Sequence, residues 1–251
     1  MRALILYAGL AGLIASPAGF ADQQIKSGEL KSSVVELYTS EGCSSCPPAD
    51  KFLGRLGKTQ ESDRIIPLAF HVDYWDYIGW KDPYASAAHT QRQRVVARVN
   101  KQSSIYTPEF VVDGAEARGS RTITDKVSTA YRSQAEAAIT LNLSDVDAGK
   151  LTATVNVDDV SYAGSDTPQV YLTIFENGLS SRIDAGENRG KNLKHDYVVR
   201  HLSPPQTTMS GQQHSFELQL NPDWKLVKLG VAVVVKLQNS GRTLQAVKMM
   251  L

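Results

Sequence analysis

The hydrophobic period of the chain changes once, near residue 138, and that change limits the architectures open to it. Before it, short β-prone runs at 34–38, 65–72 and 109–112 alternate with helix-like stretches at 49–56, 82–100 and 124–138. Asp82-Pro83 reads as a helix start, a capping carboxylate followed by proline at the first helical position, and Thr124 or Asp125 reads as another cap. Asp113-Gly114 signals a turn. Strands alternating with helices predict an α/β layer with a parallel or mixed sheet.

Beyond residue 138 the helical signals stop. Runs at 151–157, 170–175, 197–202, 216–220, 229–237 and 243–249 are strand-like, and Gly, Pro, Asn and Asp clusters separate them. That spacing predicts an antiparallel β-sandwich. The expected organisation is therefore an α/β domain over 22–138, a mixed sheet flanked by helices, then a β-sandwich domain over 139–251. Residues 177–194 read as a long polar loop of the kind that carries function.

Residues 1–21 read as a cleaved signal peptide. Arg2 is the only charge before an apolar run over 3–15, and Gly19-Phe20-Ala21 fits the small-x-small cleavage pattern. The run is too short for the ~30 Å of a bilayer core. A periplasmic or secreted protein is expected, with no stable membrane insertion after cleavage. Lys and Arg number 27 against 26 Asp and Glu, and cleavage removes Arg2. A neutral mature chain gives no support for a nucleic-acid surface.

The two cysteines, Cys43 and Cys46, lie three positions apart between a predicted strand and a predicted helix. Export favours closing them as a disulfide, yet so short a loop removes little chain entropy and makes a poor staple. Unpaired N–H groups and the dipole at a helix N-terminus favour thiolate, the attacking species. Cys43, nearer the exposed turn, is expected to be the nucleophile and Cys46 the resolving thiol. An inert bridge or half of a metal site are the alternatives. Pro47 and Pro48 lack N–H groups, so the helix is expected to begin after Cys43. Redox domains of this architecture place a cis-proline beside the pair at the start of a later strand, and Thr107-Pro108 stands there.

Other candidates surround this motif. Glu36, on the strand before the pair, reads either as a proton acceptor for the resolving thiol or as an exposed strand residue. His71 and Asp73 share a strand face. They read as a hydrogen-bonded pair, or as metal ligands beside the thiolates. Tyr74, Trp75, Tyr77, Trp80 and Tyr84 either line a peptide groove or pack a loop. Glu187, Asn188, Lys191, His195 and Arg200 form either a network between the halves or an extension of the redox site. Arg94, Arg98 and Lys101 read as a solvated helix face.

Leu37-Tyr38-Thr39 followed by Gly42-Cys43 resembles the active-site loops of glutaredoxins and thioredoxins. A longer match runs through residues 36–50, 71–76 and 79–83, then Tyr106-Thr107-Pro108, Gly186-Glu187-Asn188 and His195. These segments resemble the exported bacterial family called domain of unknown function 1223. The resemblance implies a thioredoxin-like domain; the family has no settled activity. Gly42 stands where thioredoxin has Trp, and Ser44-Ser45 offers no cation or imidazole.

The expected function is an exported thiol–disulfide oxidoreductase whose redox group is the Cys43–Cys46 disulfide, with no organic cofactor. Its substrates are protein or small-molecule disulfides, its partners a client protein with a disulfide or oxidised cysteine and a separate redox partner. Two alternatives stand beside it. One is a copper or zinc protein using Cys43, Cys46 and His71 or Asp73; the other is a non-catalytic secreted interaction protein with a static bridge.

Overall fold

The computed structural model describes residues 23–59, 61–144 and 146–251. The expected signal peptide, 1–21, lies outside them. Among the described residues no helix is long and apolar enough to cross a membrane.

The first half supplies β1 (Gln23–Lys26), β2 (Ser33–Thr39), α1 (Cys46–Leu56), β3 (Ile65–His71), α2 (Ala87–Val99), β4 (Glu109–Val112), β5 (Ala115–Glu116) and α3 (Ser120–Ala130). The second half contributes β6 (Ala138–Leu143), β7 (Lys150–Asp158), β8 (Pro168–Glu176), β9 (Leu179–Arg182) and β10 (Asn192–His195). It continues with β11 (Val198–Leu202), β12 (Gln206–Thr207), β13 (Gln212–Gln219), β14 (Leu229–Leu237) and β15 (Thr243–Met250).

A mixed sheet in the order β15-β14-β8-β11-β3-β2-β4-β5, with β12 added beside β8, forms the spine of the molecule. β2 pairs parallel with β3 over its whole length and antiparallel with β4. Strands from both sides of residue 138 meet where β11 runs parallel to β3 at Val198 and Ala69. A second, antiparallel sheet runs β1-β6-β7-β13, so β1 from the start of the described chain lies beside β6.

Burial patterns explain which strands go where. All seven residues of β2 and of β3 are buried, as expected for strands covered on both faces. β6, β7 and β13 alternate buried and accessible positions, so each offers one apolar face. Those faces pack on β8, β14 and β15 through Leu141, Val155 and Phe216 against Leu172, Val231 and Val233. On the same side of the spine α1 and α3 cover β2 and β4, with Leu53, Ile123 and Val127 against Val35, Leu37 and Phe110. α2 lies over the other side, where Val96 packs on the cluster that includes Tyr38, Phe70, Tyr171 and Val234.

Several expectations need correction. The helix expected from Asp82 begins at Ala87, because the Ser86 side chain accepts from the Ala88 amide and caps it. The helix expected from Thr124 or Asp125 runs instead from Ser120 to Ala130. Residues 177–194, expected as a loop, hold an antiparallel pair made by β9 and β10. Asp113 and Gly114 both adopt positive φ, 51° and 87°, as a tight two-residue hairpin turn requires.

Gly230 in β14 lies so close to the Phe175 ring that a Cβ there would overlap it. Gly230→Ala is expected to destabilise the protein by about 1–3 kcal/mol through overpacking, read as a lower urea midpoint with an unchanged slope.

Candidate functional site

β2 ends at Thr39, the chain turns through residues 40–45, and α1 starts at Cys46. Pro47 and Pro48 occupy the first turn of the helix, where no intrahelical partner awaits their missing N–H groups. A disulfide joins Cys43 to Cys46. Thr107–Pro108 is a cis peptide bond. Trp75 ties it to the cysteine loop: its Nε1 donates to Thr107 Oγ1 at 2.7 Å, and its Cβ backs onto Gly42. A side chain at position 42 would approach that Cβ to 2.9 Å, which accounts for glycine directly before Cys43. Pro108, Ser45, Pro48, Phe52 and Phe110 line a cavity of about 550 Å³ beside the helix start.

The expected exposure of Cys43 is not found. Cys43 is 1% exposed and Cys46 0%. Ser45 Oγ lies 3.4 Å from Cys43 Sγ, and the segment between β9 and β10 holds the backbone of the loop in place. Asn188 Nδ2 donates to the carbonyls of Glu41 and Cys43 at 2.8 and 2.9 Å. Glu187 accepts from the Ser44 amide at 3.0 Å, and Lys191 Nζ holds Asn188 Oδ1 at 2.8 Å. Glu187, Asn188 and His195 bond the cysteine loop from the second half of the chain, so the network between the halves and the contact with the loop are the same set of bonds, with Lys191 behind Asn188. Arg200 instead pairs with Glu176, 3.3 Å away.

Glu36 is not brought to the disulfide. Strand alternation sends Val35 and Leu37 toward α1 and Glu36 toward α2, where it is paired with Arg92 and accepts from Tyr38 Oη at 3.1 Å. Burial favours its neutral form, but Arg92 and Lys236 outweigh that and hold its pKa below the usual carboxylate value. Burial, aided by Arg92, pushes Lys236 down to about 8.

His71 does not pair with Asp73. Its Nδ1 donates to Asp82 Oδ2 at 2.7 Å, while Asp73 accepts from Thr90 Oγ1 at 2.6 Å. Asp82, expected as a helix cap, also accepts from the Glu41 amide at 2.9 Å. Glu41 in turn accepts from His195 Nε2 and from Trp80 Nε1, each at 2.9 Å. The His71 and His195 rings meet edge to face with centroids 4.9 Å apart. Asp50, one turn along α1 from Cys46, accepts from Thr39 Oγ1 at 2.8 Å and lies 3.7 Å from His195 Nδ1. Burial raises the Asp50 pKa despite the pull of His195 and His71. The result is a buried histidine–carboxylate cluster directly behind the cysteine loop. Two of its atoms, His71 Nε2 and His195 Nδ1, lack hydrogen-bond partners.

Sequence reasoning missed Glu41, Asp50 and the true role of Asp82, since no spacing rule joins positions 41, 82 and 195. Of the aromatic residues 74–84, Trp75 tethers to Thr107 and Trp80 to Glu41, while Tyr77 stands exposed. Arg94, Arg98 and Lys101 are exposed. Among the described residues no group of three His, Cys, Asp or Glu side chains is gathered so as to hold a metal ion. Cys43, Cys46 and His71 are each engaged elsewhere, the sulfurs with each other and His71 with Asp82.

Fold and site together define a mixed α/β protein with a covered disulfide at a helix start. The chain belongs to the family described as proteins of unknown function DUF1223, whose pattern it matches over residues 34–236. The chain is similar to the crystal structure of protein AGR_C_4864 from Agrobacterium tumefaciens. Identity is 25%, coverage 89% of this chain and 96% of that one, and the TM-score 0.65. It also shares a fold with HBP35 of Porphyromonas gingivalis at 16% identity, with 89% and 76% coverage and a TM-score of 0.69. No curated protein matches the chain.

Burial disfavours the His71 cation, but the Asp82 carboxylate overcomes this and raises its pKa above 6.5. A raised folded-state value stabilises fully below the unfolded value and is lost as pH rises through the folded one. His71→Gln is therefore expected to destabilise most below the unfolded value of 6.5, with the gap from the unsubstituted protein narrowing as pH rises through the raised folded-state value. Urea unfolding at a series of pH values measures that gap.

Proposed function

We propose that the protein is an exported thiol–disulfide oxidoreductase with a thioredoxin-like α/β half. One observation supports this above the others: the Cys43–Cys46 disulfide stands where a strand hands over to a helix, tethered through Trp75 to a cis Thr107–Pro108 bond. In the oxidising direction a client thiolate attacks Cys43 Sγ, the Cys43–Cys46 bond breaks, and Cys46 leaves as thiolate. A second client thiolate then displaces Cys43, giving a client disulfide and the reduced pair. The reverse sequence reduces a client. Direction follows the difference in potential, ~30 mV per 1.4 kcal/mol.

In this reading the 183–191 segment, which holds the loop's backbone, lifts to let a client reach Cys43. Three hydrogen bonds at the loop oppose that, two from Asn188 and one to Glu187. At about 1 kcal/mol each they set a cost within the range of local opening in folded proteins. A second reading, a static bridge in an interaction protein, is favoured by the burial of both cysteines.

Cys46→Ser separates the two. Purified from the exported fraction under an alkylating quench, this variant is expected to accumulate mixed disulfides on Cys43 that vanish on reduction. A free, slowly alkylated Cys43 with no adducts supports the static bridge and contradicts the redox proposal.

A further inference from the structure

On the side of α1 away from Phe52 and Phe110, a cavity of about 870 Å³ opens between the helix and β10. Its size falls in the range of small-molecule sites, about 300–1,000 Å³. Five cations line its walls, and two of them, Lys51 and Lys194, have no carboxylate within salt-bridge distance among the described residues and no other partner that would hold them. The Arg55 guanidinium lies over the Phe52 ring, Lys191 is held by Asn188 Oδ1, and Lys58 is matched by Asp196 at 2.8 Å. The other wall carboxylate, Asp50, is turned inward to Thr39 and His195. The wall is therefore short of negative charge, and such an excess attracts anions.

Two further observations point to a ligand. At the cavity's edge the Ser44 amide already receives a carboxylate, that of Glu187, whose pKa is lowered by the Ser44 hydroxyl and amide. At its floor His195 is 3% exposed, and its Nδ1 makes no hydrogen bond, the Asp50 carboxylate standing 3.7 Å away. A hydrogen bond at this buried nitrogen is still unmade, and a polar group entering from the cavity would make it. Pro47, Pro48 and Leu193 supply apolar wall between the charges, suited to a carbon skeleton.

We propose that this cavity binds a small organic acid with at least two carboxylates, held by Lys51 and Lys194 above His195. The inference does not rest on the redox reading, since binding needs no exchange at sulfur.

The test is calorimetric titration of the mature chain with tricarballylate at low ionic strength, with its neutral triamide as comparison. Saturable one-to-one binding is expected for the acid and none for the triamide. The double variant Lys51→Ser, Lys194→Ser is expected to weaken binding at least about tenfold. Lys150→Ser with Lys225→Ser, exposed and outside the cavity, is expected to leave it unchanged. A shift of the His195 ring nitrogen resonances on binding places the ligand at the floor. Thermal unfolding checks that each variant is folded. Absence of saturable binding, equal loss in both double variants, or binding of a hexaglutamate peptide but not of tricarballylate overturns the proposal.

Discussion

Glu41 is the constraint on which the site depends. Its carboxylate is fully buried, and such a charge persists only where hydrogen bonds and opposing charge satisfy it. Each partner comes from a different part of the chain. Trp80 approaches from the segment after β3, His195 from β10, and the backbone on either side of the carboxylate is held by Asp82 and Asn188. One side chain in the cysteine loop thus fixes the position of residues about forty and about one hundred and fifty positions away in sequence. Removing one member of such a set exposes the others to an unmatched buried charge, which typically costs about 3–5 kcal/mol.

The same anchoring holds the disulfide loop from outside. β9 and β10 pair with each other and project the 183–191 segment over α1's start, where Glu187 and Asn188 engage backbone groups of the loop. The spine sheet makes this possible, because β11 docks beside β3 and carries β10 to the end of β2. Packing, charge and topology converge on one short turn. In the proposed chemistry the covering segment is the gate, and the buried cluster behind it is the rigid wall against which the gate closes.

Much of the fold was legible in sequence. The strands expected at 109–112 and 229–237 coincide with β4 and β14, since short runs rich in valine and other apolar residues mark strands covered on both faces. The change of period near 138 coincides with the start of β6. β9 and β10 were hidden because they are four residues long and lie in a polar, glycine-bearing stretch. At the site, the cysteine pair and Thr107-Pro108 stood out by spacing. Glu36 misled, because sequence distance from Cys43 does not reveal which strand face a residue takes. Asp82 misled for a related reason: Asp-Pro is a strong local helix signal, and a long-range bond to His71 overrode it. Glu41 and Asp50 fell inside the family-like stretch 36–50 but without a role, since their partners are fixed only by tertiary contact.

The most direct measurement is the rate at which a small dithiol reduces the Cys43–Cys46 bond as denaturant is raised from zero through the unfolding transition. Reduction is expected in the folded protein, at a rate set by lifting the 183–191 segment and nearly independent of denaturant well below the midpoint. A bond that resists reduction until the whole protein unfolds, with a rate that tracks global stability, contradicts that expectation.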